Sequence, residues 1–176
     1  MNKKKMIKEI LGWIKSIAIA LIVGLIINYS IVAHAVVISG SMEDTVMTNS
    51  KVIGSRLTYT FHEPERFDII LFTPPDDESS IPYLKRIIGL PNETVEIIDG
   101  KVYIDGSDLP LDDSFIREHA RGSYGPFYIP EDCYFVLGDN RNGSYDSKNW
   151  KNPFVARNMI ICKVYAEYFP SPQILE

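Results

Sequence analysis

Hydrophobic positions fall into two different patterns along this chain. Residues 16–38, SIAIALIVGLIINYSIVAHAVVI, form one apolar block, and no formally charged residue occurs between Lys15 and Glu43. A helix rises about 1.5 Å per residue, so roughly 20 residues cross a hydrocarbon core about 30 Å thick. The block predicts a transmembrane helix over residues 16–35. Beyond it the apolar residues come in short runs bounded by turn residues, a strand pattern. Ile69-Ile70-Leu71-Phe72 stops at Thr73-Pro74-Pro75, and the run from Tyr83 to Leu90 stops at Pro91. Val95 to Ile98 and Lys101 to Ile104 flank Asp99-Gly100, a dipeptide suited to the positive φ values of a tight I′ hairpin turn. Cys133 to Leu137 and Met159 to Phe169 supply two more strands. Residues 76–80 read as a polar loop. Residues 109–124 are irregular, with one or two helical turns expected over 113–119. The outer part is therefore mainly β, one domain over 36–176 with a small β insertion at about 91–131.

Charge adds an orientation. Residues 1–15, MNKKKMIKEILGWIK, hold five lysines and one glutamate. The positive-inside rule places this basic tail in the cytoplasm and everything after the helix outside it. Trp13 and Tyr29 lie near the two ends of the span, where amphipathic rings favour the interface. A cleaved signal peptide shares the basic start and apolar middle, and Ala33-His34-Ala35 resembles a small-residue cleavage site. The block exceeds the ~7–15 residues of such an apolar region, which favours a retained anchor.

The outer part, about 140 residues, suits a single domain. The chain carries −5, the tail contributes +4, and the rest therefore carries −9. An acidic exterior argues against nucleic acid as a partner. Cys133 and Cys162 are the only cysteines, read as two buried thiols in strands in preference to a bridge. They cannot make a cysteine-only metal site, and His34, His62 and His119 are isolated from one another. No metal or cofactor is expected. The sequons at Asn92 and Asn142 read as incidental.

Three segments carry candidate chemistry. Ser39-Gly40-Ser41-Met42 lies just outside the membrane block. A serine hydroxyl is a weak nucleophile and needs a base. No histidine sits in a recognisable motif, but Lys85 lies in an apolar strand. A neutral lysine at pH 7 costs about 4–5 kcal/mol from its reference pKa. Burial shifts lysines by that order, because desolvation disfavours the charged form. On spacing alone, Lys85 and Arg86 also read as two solvated charges on an edge strand. The third segment runs from Gly138 to Lys148, GDNRNGSYDSK, and is too polar for a plain turn. It fails the EF-hand pattern at Arg141 and Ser144.

Together these segments resemble the bacterial type I signal peptidases, membrane-bound serine proteases with a Ser–Lys dyad. The matching boxes are Ser39 to Met42, Arg66-Phe67-Asp68-Ile69-Ile70-Leu71-Phe72, Lys85-Arg86-Ile87-Ile88-Gly89-Leu90-Pro91, and Gly138-Asp139-Asn140-Arg141 with Ser144, Asp146 and Ser147. Four boxes in order behind a membrane anchor are specific, and the likeness covers nearly the whole chain.

The resemblance implies an antiparallel β-sheet catalytic domain behind one transmembrane helix, in the cell membrane. It implies an endopeptidase that removes N-terminal signal peptides from exported preproteins emerging from the secretion translocon. Ser41 would be the nucleophile and Lys85 the general base. Ser39 would serve the oxyanion with the Ser41 N–H. Ser144 would aim the Lys85 amine, and Asp146 would be supported by Lys148 or Arg141. An extended substrate would lie between Val36, Val37 and Ile38 on one side and Ile81, Tyr83 and Leu84 on the other. Small residues would be selected at −1 and −3, the A-x-A pattern. The chain departs from the family at Asp44, usually proline; at Val46, often leucine; at Phe67 and Asn92, often glycine; and at Lys148, often arginine. Two other readings are a non-catalytic assembly factor of the same fold and a self-cleaving Ser–Lys regulator. The second calls for a DNA-reading domain and a soluble chain.

Overall fold

The basic tail and the apolar block form one helix, α1 (Lys3–Ser30), in a computed structural model that describes residues 3–76 and 81–175. Its stretch Ile7–Asn28, with mean hydropathy 2.5, is long and apolar enough to cross a membrane. Both ends differ from the expected span of 16–35. The lysines, methionine, glutamate and leucine before Ser16 are good helix formers, so the helix begins in the tail. Beyond Ser30, residues 32–36 leave the helix as strand β1 (Val32–Val36), paired along its length with β2 (Lys51–Ser55). An apolar run cannot by itself separate helix from buried strand, and here partner pairing decides. Residues 77–80, most of the expected polar loop, lie outside the described residues.

After β2 come a short helix, α2 (Thr58–Phe61), and strands β3 (Ile69–Phe72), β4 (Tyr83–Gly89), β5 (Thr94–Ile98), β6 (Lys101–Ile104), β7 (Tyr124–Tyr128), β8 (Cys133–Leu137), β9 (Val155–Ala156), β10 (Ile160–Phe169) and β11 (Gln173–Ile174). One sheet runs β1-β2-β10-β3-β4-β8-β9, with β11 on β10; a second runs β6-β5-β7. The strand pairs are antiparallel.

Strand β3 shows why the pattern was continuous rather than alternating. Ile69 and Leu71 join one core cluster with Met42, Val52 and Leu84, whereas Ile70 and Phe72 join another with Ile87, Val136 and Trp150. The sheet is covered on both faces there, so every position is apolar. The β5–β6 hairpin turns at Asp99 and Gly100, with φ of 49° and 83°, in the left-handed region the I′ turn needs.

The small sheet falls within the expected insertion. Residues 113–119 are not helical; one turn closes where the Ile116 N–H donates to the Asp113 carbonyl at 3.0 Å. Strand β7 was hidden by Gly125 and Pro126, tolerated because β7 is an edge strand. Both cysteines lie in strands as free thiols, Cys162 buried and Cys133 partly so.

Candidate active site

Ser41 sits in a single 3₁₀ turn, Gly40–Met42, directly after the β1 edge. Met42, fully buried, plugs this turn into the core. The turn is held from the opposite side by the loop after β8. The Asn140 N–H donates to the Ser41 carbonyl at 3.1 Å, and Asn140 Nδ2 donates to the Gly40 carbonyl at 2.9 Å. Gly138 makes this approach feasible. A Cβ there would overlap both the Ser41 carbonyl oxygen and the Ser144 side chain.

Lys85 enters from the middle of β4, opposite Ile70 of β3. It is 3% exposed, and its Nζ donates to Ser41 Oγ at 2.6 Å and to the Leu84 carbonyl at 3.2 Å. Among the described residues it makes no ion pair. Burial lowers its pKa from 10.5 to about 8; Asp146 and Asp139 pull upward, and Lys148 pushes downward. The edge-strand reading of Lys85 and Arg86 is thus replaced by two buried side chains in a central strand. Ser39 Oγ lies 3.3 Å from Ser41 Oγ.

The support differs in part from expectation. Asp146 is fully buried and is held by Lys148, whose Nζ reaches its two oxygens at 3.0 and 3.1 Å, and by the Gly138 N–H at 2.9 Å. Arg141 does not support Asp146. It reaches into the insertion instead, where Nη1 donates to Asp113 at 2.8 Å. Ser144 does not hold the Lys85 amine in this structure; its hydroxyl is buried without a hydrogen-bond partner. Lysine at 148 loses the planar fork of arginine, yet a single ammonium between two carboxylate oxygens suffices here.

Asp139 belongs to the quoted motif but had been given no role. Arg86 Nε and Nη2 donate to its two oxygens at 3.0 and 2.8 Å, and Thr45 Oγ1 donates to it at 2.6 Å. It therefore joins β4 to the serine turn. Asp113 was missed altogether, since an isolated aspartate in an irregular loop carries no signal.

The residues expected to line the substrate divide into two sets. Val37 and Leu84 are buried in the core cluster. Val36, Ile38 and Ile81 are exposed, and Tyr83, half-buried, places its ring 5.4 Å from Lys85 Nζ. Val37 uses its backbone N–H on Ser50 and its carbonyl on Asn49. Strand alternation then turns the backbone groups of Val36 and Ile38 the other way, off the open edge.

Three departures from the family have a backbone reading. Asp44 has φ of 78°, which proline cannot adopt. Phe67 and Asn92 have φ of 75° and 67°, where glycine is at ease and asparagine is tolerated. Phe67 is the costlier of the two; its ring packs edge-on against Phe115 at 5.3 Å.

A buried serine–lysine contact between the turn after β1 and the central strand β4 is the arrangement that lysine-assisted serine hydrolysis calls for. The family described as "Signal peptidase, peptidase S26" matches residues 10–169. The chain is 35% identical over 164 residues to Probable signal peptidase I-2 of Synechocystis sp., covering 91% of this chain and 73% of that one. It is 33% identical over 163 residues to Signal peptidase I S of Bacillus subtilis, covering 86% and 85%. A crystal structure of a signal peptidase I from Enterococcus faecalis, 35% identical, aligns with a TM-score of 0.48 over 58% of this chain and 97% of that one. The chain belongs to the peptidase S26 signal peptidase family. It is a serine peptidase that removes signal peptides, and the relatives do not favour the assembly-factor reading.

Proposed function

We propose that Ser41 is the nucleophile and Lys85 its general base, in an enzyme anchored by α1 with its catalytic domain outside the cytoplasm. The observation that carries this is the 2.6 Å contact between a buried, carboxylate-free lysine amine and the Ser41 hydroxyl. At pH 7 roughly a tenth of a group with pKa about 8 is neutral, against about one in three thousand at 10.5. Burial thus turns lysine into a usable base. The neutral amine takes the Ser41 proton as Oγ attacks the scissile carbonyl, then delivers it to the leaving amine. A water activated by the same amine hydrolyses the ester.

Ser39 Oγ, 3.3 Å from the attacking oxygen, donates to the developing oxyanion together with the Ser41 N–H. Ser144 accepts from the Lys85 amine during turnover. Its buried, unpartnered hydroxyl favours that role, since such groups are costly unless satisfied. The preprotein adds as an extended strand along Val36 and Ile38, facing Ile81, Tyr83 and Leu84. Its small −1 and −3 side chains point toward the packed floor of Val37 and Leu84, the A-x-A preference. The anchor keeps the site beside the apolar segment of a preprotein leaving the secretion translocon of the cell membrane, and so raises effective concentration.

The test is cleavage of a preprotein by membranes carrying the wild type, Ser41→Ala or Lys85→Ala. Both variants are expected to lose cleavage while retaining the fold. Full activity in either one removes that residue from the reaction.

A further inference from the structure

Thr45 follows the serine turn closely, and each of its polar groups is tied to a different part of the fold. Its N–H donates to the Met42 carbonyl at 3.1 Å, in the turn that carries Ser41. Its hydroxyl donates to Asp139 at 2.6 Å, beside the Asn140 that holds the Ser41 carbonyl. Its carbonyl accepts from Gln173 Nε2 of β11 at 3.0 Å. The first two contacts lie within the segments that surround the nucleophile. The third comes from a strand that supplies no residue to the motifs described above. We propose that Gln173, held by Glu167, is a positioning residue that fixes the Ser41 turn through the Thr45 carbonyl. This rests on Ser41 being the nucleophile.

Glu167 gives the contact its rigidity. It is 3% exposed, lies in β10, and stands directly opposite Gln173 across the β10–β11 pair. Among the described residues it forms no ion pair. Its Oε1 accepts from Ser50 Oγ at 2.7 Å and its Oε2 from Gln173 Nε2 at 2.8 Å. Ser50 is fully buried and closes the loop that starts at Glu43; its carbonyl accepts from the Val37 N–H at 2.9 Å. One carboxyl group thus grips that loop twice, directly at Ser50 and through Gln173 at Thr45. A buried polar group is costly unless it is hydrogen-bonded, so Glu167 holds both donors to their places.

The residue type at 173 fits the task. A primary amide carries two N–H donors on one nitrogen, and Gln173 Nε2 meets two acceptors, the Glu167 carboxyl and the Thr45 carbonyl. The strand beneath is pinned as well. The Leu175 N–H donates to the Tyr165 carbonyl at 2.8 Å, and the Leu175 side chain is buried in the same core cluster as Met42 and Val46. The amide is therefore anchored in the core that also seats the serine turn. A small displacement of Ser41 from its base lowers the rate while the fold persists, since about 1 Å costs on the order of a hundredfold.

The test measures kcat and KM for preprotein cleavage, and a denaturant midpoint, on the full chain in detergent micelles. Gln173 is exposed, so its variants are expected to fold. Gln173→Ala removes the donor to Thr45 and should lower kcat about tenfold, with KM changed by less than about twofold. Gln173→Glu sets a carboxylate against two acceptors and should lower both kcat and the midpoint. Adding Glu167→Gln to Gln173→Glu exchanges donor and acceptor: the new amide at 167 donates to the acid at 173 and still accepts from Ser50. The link between β10 and β11 is restored, but the Thr45 carbonyl still lacks a donor. The exchange should therefore bring the midpoint back toward the wild type while kcat stays about tenfold down. A kcat that recovers together with the midpoint would make the contact merely structural and overturns the proposal. A Gln173→Ala chain with wild-type kcat overturns it too, as does one whose loss lies wholly in KM. A wild-type chain that cuts no preprotein, or a Ser41→Ala chain that cuts it fully, counts instead against the function proposed above.

Discussion

Lys85 and Arg86 are neighbours in β4, and their surroundings are opposites. Arg86, 2% exposed, is clasped by Asp139 through two donors, gives a third to the Phe67 carbonyl at 2.9 Å, and lies 4.4 Å from the Phe115 ring centroid. Lys85, 3% exposed, meets a hydroxyl and a carbonyl. One cation is fully compensated and joins three segments of the fold. The other is left without a carboxylate partner, and burial makes its charged form less stable than in a free lysine. A buried charge costs several kcal/mol unless paired; on one side of the strand the fold supplies the pair, and on the other it holds the proton less tightly. The acid that acts most strongly on Lys85, Asp146, is itself paired with Lys148, which limits its pull.

The comparison can be broken at the point where both sides meet, the loop from Gly138. Gly138→Ala should have the largest effect. The new methyl strikes backbone as well as Ser144, so the loop and the serine turn must part. A shift of about 1 Å in a catalytic group costs on the order of a hundredfold in rate. Preprotein cleavage should fall by at least that, with stability lowered by about 1–3 kcal/mol from overpacking; kcat and a denaturant midpoint would show both.

Asp44→Pro probes the Arg86 side. It restores the residue usual in the family but imposes φ near −65° on a position at 78°. The adjoining Thr45 bond to Asp139 should be lost, destabilising the fold by more than about 1 kcal/mol and slowing cleavage several-fold. A variant as stable and active as the wild type would mean that this turn tolerates a different backbone. Lys148→Met probes the Lys85 side. Asp146 would then act on Lys85 uncompensated, and the pH at which the rate is half-maximal should move to higher pH. Lys148→Arg should have the smallest effect, leaving that midpoint nearly in place.

The two sides were unequally legible from sequence. Ser41 and Lys85 sit in contiguous boxes that carry the family resemblance, although Lys85 and Arg86 taken by themselves read as two solvated charges. Asp139 and Gly138 were visible as letters, but their roles exist only once the loop is folded against Ser41. The Asp113–Arg141 pair was illegible, since it joins an irregular stretch of the insertion to a motif 28 residues away. The expected Ser144–Lys85 bond was a carried-over role, and the packing leaves that hydroxyl unpaired. Strand β1 was lost in the membrane block because its apolar residues continue the helix pattern without a break. The β5–β6 hairpin was read correctly, since Asp-Gly is a local signal that needs no partner.

The most direct test of the central claim is the pH dependence of single-turnover preprotein cleavage, with chemistry rate-limiting. As the proposed base, Lys85 would act in its neutral form, and its pKa in the folded protein lies below that of a free lysine, at about 8. The rate should therefore climb with pH from about 6, pass half-maximum near 8 and level off above it. A rate that is flat across that range, or that rises only near the ordinary lysine value above 10, would contradict the account.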